Sequence, residues 1–99
     1  MRRYHGDRTI DGVQVTVDGR PLPQRTDLKA FSDQGFEWSY EGGEPAQLAL
    51  ALLADHLGDD RAALQFCTPF MRIVVANFGN EWEMTSADLD AALTQLGRA

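Results

Sequence analysis

The stretch Pro45 to Leu57 limits the fold more than any other part of the chain. At about 100° per residue, Gln47, Ala51 and Asp55 fall on one narrow polar or small stripe, and Leu48, Leu50, Leu52, Leu53 and Leu57 spread over the rest. A helix that is apolar nearly all round is a core element contacted on several sides. Pro45 suits its first position, where a missing N–H leaves nothing unsatisfied. Immediately before it, Phe36, Trp38 and Tyr40 alternate with Glu37 and Ser39, which predicts a strand with three aromatics on one face. Glu41-Gly42-Gly43-Glu44 then turns the chain into the helix.

The N-terminal third reads as strand and turn. Val13, Val15 and Val17 alternate with Gln14 and Thr16, the period of a half-buried strand. Asp18-Gly19 is a tight hairpin signal, and Arg20-Pro21-Leu22 makes a short return strand that Pro21 confines to a sheet edge. Arg2 to His5 supplies another strand, with a turn at Asp11-Gly12. Pro23 to Asp33 has no clear period and reads as a loop with one helical turn at Leu28 to Phe31.

Helical signals fill the second half. Gly58 ends the central helix and Asp59 or Asp60 caps the next, which runs from Arg61 to Cys67. Thr68-Pro69 predicts a break or a kink, after which Phe70, Ile73, Val74 and Phe78 recur at helical spacing. Glu81 to Met84 is a short strand or an extended linker. Thr85-Ser86-Ala87-Asp88 resembles a capping box for a last helix with Leu89, Ala92, Leu93 and Leu96 as its apolar stripe. Strands first and helices after predict an α+β fold: a small antiparallel sheet of three to five short strands, mostly N-terminal, packed by three to four helices.

Ninety-nine residues form one domain, 1–99, large enough to bury a core without a staple. The single Cys67 sits in an apolar pattern, reads as a buried thiol and fits a reducing compartment. Arg2 and Arg3 are followed by Tyr4, His5, Gly6 and Asp7, not by the apolar stretch of a signal peptide. The longest apolar run, Leu48 to Ala54, is far short of the about 20 residues that span a bilayer. A cytoplasmic location with no membrane contact is the resulting expectation. The net charge of −6 is uneven: +2 through Lys29 and −8 from Ala30 onward. Nucleic acid binding needs clustered positive charge, and a recognition helix bearing Asp88 and Asp90 would repel phosphates, so nucleic acid is not the expected partner.

The segment GFEWSYEGGEPAQLALALLADHLGDD resembles the signature of a family of small uncharacterised proteins from bacteria and phages, known as a domain of unknown function. The similarity extends to YHGDRTIDGVQVTVDGRPLP near the start and EWEMTSADLDAAL near the end. It implies a one-domain protein and no particular activity. The turn in that family is richer in small residues, of the form Gly-Ser-Gly-Pro. Here Glu41 and Glu44 bring acid to it, and Ser39 stands where glycine is usual.

Two features are candidate sites. A glycine turn at a helix N-terminus receives anions, which marks Gly42 and Gly43, with Tyr40 and Gln47 beside them, as ligand-binding residues. The competing account is a tight strand-to-helix turn capped by Glu44, and the spacing and lysine of a P-loop are absent. Trp82 is a candidate partner anchor, set against one buried ring between exposed Glu81 and Glu83. His5, His56 and Cys67 lack metal-ligand spacing, Asp55, His56, Asp59 and Asp60 fit helix-end capping, and Ser32, Ser39 and Ser86 lack a nucleophile context. The sequence therefore predicts no catalytic residue, no metal and no cofactor. It points to a non-enzymatic interaction module for a macromolecular partner, with a small-ligand or anion-binding domain as the alternative.

Overall fold

The computed structural model describes residues 1–98. The alternating valines form β2, Gly12–Val17, which pairs antiparallel with β1, Arg3–Thr9, on one side and with β3, Arg20–Pro21, on the other. Asp18 and Gly19 join β2 to β3 with φ of 50° and 82°. Positive φ at both central residues gives the turn whose twist matches its flanking strands, and glycine adopts it without steric cost. A fourth strand, β4 (Glu81–Thr85), returns to pair antiparallel with β1, and the sheet order is β3-β2-β1-β4.

Alternation along each strand sorts the side chains. Tyr4, Val15, Val17 and Trp82 are buried on one face, whereas Arg3, Gln14, Glu81 and Glu83 on the other are exposed. The helices lie on the buried side: α1 (Gly43–Leu57), α2 (Asp60–Ile73) and α3 (Ser86–Gln95), with a 3₁₀ turn at Val75–Asn77. The α+β architecture is as the sequence predicts. Two caps follow the sequence: of Asp59 and Asp60 it is the Asp59 carboxylate that accepts from the Ala62 N–H at 3.1 Å, and Thr85 and Asp88 make a reciprocal capping box, whereas α1 begins at Gly43, ahead of Pro45, with no side-chain cap from Glu44.

Three local expectations need correction. Phe36 to Tyr40 is not a strand. Its backbone is held instead by side chains and by the turn after α2: Trp38 N–H donates to the Glu37 carboxylate, and Ser39 N–H to the Val75 carbonyl at 3.2 Å. Positive φ at Ser39 (80°) then swings the chain, so Phe36 and Trp38 are buried while Tyr40 is 43% exposed. Second, α2 runs through Pro69 without a break. The proline ring deprives the Gln65 carbonyl of its helical donor, but Gln65 is exposed and water can serve it. Third, the loop turn lies at Thr26–Leu28, closed by Leu28 N–H to the Arg25 carbonyl, and not at Leu28 to Phe31.

Helix α1 is buried from Pro45 to Ala54. Sheet and helices cover part of it, and residues 22–42, which contain no helix or strand, cover the rest. A loop laid over a core must satisfy its own backbone polar groups. Gln47, the buried polar residue of the core, does this with all of its hydrogen-bonding capacity. Its amide nitrogen donates to the carbonyls of Gln24 (2.7 Å) and Lys29 (3.1 Å), and its oxygen accepts from the N–H groups of Phe31 (2.8 Å) and Ser32 (3.3 Å).

Gln47→Leu keeps the volume and removes these bonds, so it should destabilise the domain by about 2–4 kcal/mol. Urea melts check this, and a loss below about 0.5 kcal/mol would show that the loop does not depend on Gln47.

Candidate functional site

The structure explains the double glycine by packing. A side chain carbon at Gly43 would lie 2.7 Å from the Phe31 carbonyl oxygen, and one at Gly42 would lie 2.8 Å from the Tyr40 ring. Tyr40 in turn donates to the Glu44 carboxylate at 3.0 Å. Desolvation, then the hydrogen bond to Glu44, raises the Tyr40 pKa and keeps it a phenol. An anion approaching the start of α1 therefore meets an aromatic ring, a carbonyl oxygen and a carboxylate. Gln47 is fully buried and bonded to the loop, with no polar group left for a ligand.

Trp82 is 7% exposed and is not a surface anchor. It stacks on Phe78 at 4.3 Å between centroids and meets Trp38 edge to face at 5.7 Å. Across the β1–β4 pair it faces Gly6, where an added carbon would come within 2.3 Å of the indole. Glycine is required there because the ring occupies the side-chain space. The indole N–H is enclosed and finds no partner among the described residues, which costs about 1–3 kcal/mol. The two aromatic contacts return about 0.5–1.5 kcal/mol each beyond their burial. Trp38 is tied down further: its indole donates to the Gly79 carbonyl at 2.6 Å, and the Arg8 guanidinium lies over its ring at 5.0 Å. Arg8 also binds Glu37 at 2.6 Å, joining β1 to the segment that covers α1.

The ionisable residues mostly link elements to each other. Asp55 accepts from the Tyr4 hydroxyl and from Arg2, each at 2.7 Å, fastening β1 to the end of α1. His5 contacts Glu81 at 2.7 Å and His56 contacts Asp90 at 2.6 Å, both reaching into the β4–α3 unit. Cys67 is buried, and desolvation raises its pKa, so the thiol is held protonated. Among the described residues no group of three or more His, Cys, Asp or Glu side chains is placed to hold a metal ion.

One face of the sheet is open, as is a groove of about 390 Å³ lined by His56, Leu57, Asp90 and Leu93. The outer face of the sheet carries Arg3, His5 and Asp7 of β1, Gln14 and Thr16 of β2, and Glu81 and Glu83 of β4, none of them buried. Arg3 pairs with Glu83 and His5 with Glu81, while Asp7 makes no ion pair among the described residues. A groove of about 290 Å³ runs beside β2, lined by Val13, Val15, Leu22, Phe36, Gln14 and Gln24. None of these residues carries a site motif in the sequence. The legible signal was the mismatch between three alternating valines and a return strand cut short by Pro21 and Pro23.

The model of a family of unknown function, DUF6166, matches residues 4–95, and the chain belongs to that family. No curated protein and no solved structure matches the chain.

Two outcomes follow from this packing. Gly6→Ala should cost about 1–3 kcal/mol by overpacking the indole, read as a lowered urea midpoint and a changed Trp82 fluorescence. An unchanged midpoint would mean the ring is not seated on β1. Burial, and then Asp55, also raises the Tyr4 pKa, with Arg2 opposing. A raised folded pKa gives stability that is complete below the unfolded tyrosine value of about 10 and is lost above it. Stability should therefore fall from roughly pH 9.5 upward, and less steeply in Tyr4→Phe. Identical alkaline profiles for the two proteins would remove Tyr4 as the cause.

Proposed function

We propose that the protein is a non-enzymatic interaction module that binds another protein through the side of its sheet that the helices leave bare. The observation that carries this is the one-sided packing. All three helices, the 3₁₀ turn and the loop 22–42 cover one face, and on the other β1, β2 and β4 offer unburied polar and charged side chains. Side chains with chemical potential are engaged in the fold itself: Cys67 is buried and held protonated, and Gln47 and Tyr4 are bonded internally. That engagement supports binding over catalysis. The net charge of −6 favours a partner with basic residues. A bacterial or phage setting follows from the resemblance of the signature, and a cytoplasmic one is compatible with the lone reduced thiol.

Site-specific photo-crosslinking in a lysate of the source cells tests the reading. A benzophenone side chain at Gln14, on the open face, should give a discrete protein adduct, and one at Arg61, on the helical side, should not. Equal adducts at both positions, or none at Gln14, would count against the sheet as the interface.

A further inference from the structure

The open face has an edge that is more specific than its surface. Strand β2 spans six residues and β3 only two, paired as Val17 with Arg20 and Thr16 with Pro21. Beyond them a single bond continues the pairing, from Leu22 N–H to the Val15 carbonyl at 3.1 Å. Pro21 and Pro23 lack the N–H groups that would extend it. In an antiparallel strand, alternate residues bond to opposite neighbours. The bond from Asp18 N–H to the Arg3 carbonyl fixes the phase: with the register His5–Thr16 and Asp7–Gln14, residues Gly12, Gln14 and Thr16 bond to β1. Val13 and Val15 thus turn their backbone groups to the outer edge. There both backbone groups of Val13 have no backbone partner among the described residues.

Leu22 stands opposite Val15, so the donor and acceptor left open are those of Val13, and a strand-edge N–H and C=O beside an apolar groove suit an extended chain as the occupant. Its side chains would alternate. One set enters the groove of about 290 Å³, where Val13, Val15, Leu22 and Phe36 supply apolar walls. The other set lies over the outer face next to Gln14, in a row that continues through Asp7 to Glu81. Asp7 there, and Asp11 at the hairpin tip, make no ion pair among the described residues. Charge complementarity therefore asks for basic residues outward and apolar residues inward. A second copy of this chain fits poorly, since its β2 carries no basic residue.

We infer that the edge of β2 at Val13, just beyond the Val15–Leu22 bond, takes up an extended segment of a partner protein, with alternating apolar and basic residues, as a fifth strand. This rests on the sheet-side interaction proposed above and narrows it to one edge and one class of peptide.

The test titrates the full-length protein with acetyl-Lys-Val-Lys-Val-Lys-amide and follows backbone amide shifts. Saturable shifts are expected at Gly12, Val13, Gln14, Val15 and Leu22, with at least tenfold weaker binding of the Glu-Val-Glu-Val-Glu analogue. Methylating the valine nitrogens of the lysine peptide should also weaken binding at least tenfold, without altering the protein. Val13→Pro removes an outward N–H while leaving the bonds to β1, and should weaken binding with little change in melting temperature. No saturable shift at millimolar peptide, shifts centred on Glu81 and Glu83, or undiminished binding of the methylated peptide would each overturn the inference. If Val13→Pro left the Gln14 crosslink in lysate intact, the sheet-face reading would stand and this edge would be excluded.

Discussion

A helix buried along ten consecutive residues, Pro45 to Ala54, has to be enclosed on every side, and a sheet with helices on one face does not supply that many walls. The missing wall is a loop. A segment as long as residues 22–42 with no regular structure is unusual in a domain of this size, because its backbone groups have no ladder to satisfy them. Gln47 supplies the substitute from inside the helix, with its donors and acceptors matched to four loop groups. The helix needs the loop to stay dry, and the loop needs the helix for its hydrogen bonds. The two form one cooperative unit.

The rest of the arrangement follows from this. To close the wall, the chain brings Trp38 under the 3₁₀ turn, where it meets Trp82 and is clamped by Arg8 from β1. Trp82 lies flat enough on β1 that only glycine fits at position 6. Sheet, loop and helices thereby converge on a single hydrophobic cluster on one side. The opposite face of the sheet has no covering element among the described residues, and its edge is only half closed by β3. The functional proposal concerns these two surfaces that the core leaves out.

Much of this was legible in the sequence. Asp18-Gly19 and the valine alternation placed the β2–β3 hairpin, Asp59 and the Thr85–Asp88 box placed two helix starts, and the leucines placed α1. The failures have physical causes. Alternation of Phe36, Trp38 and Tyr40 does not report pairing; without a neighbouring strand the segment bonds to side chains and turns, and Ser39 swings Tyr40 out of the buried row. Pro69 argues against a helix interior, but a solvent-facing carbonyl one turn earlier makes it tolerable. Gln47 read only as part of a narrow polar or small stripe, because periodicity cannot see a loop folded over it. The glycines at 42 and 43 suggested access for a ligand, whereas the Tyr40 ring and Phe31 carbonyl fill the space. The open edge of β2 was visible only as two prolines too close to a hairpin.

The most direct test is native-state hydrogen exchange at the Phe31 amide. If the loop and α1 are one cooperative unit, this amide should exchange with the Leu48 to Leu53 amides, at the free energy of global unfolding. Exchange as fast as that of exposed Asp33, in a protein whose α1 amides remain protected, would show that the loop opens alone and is not the wall of the core.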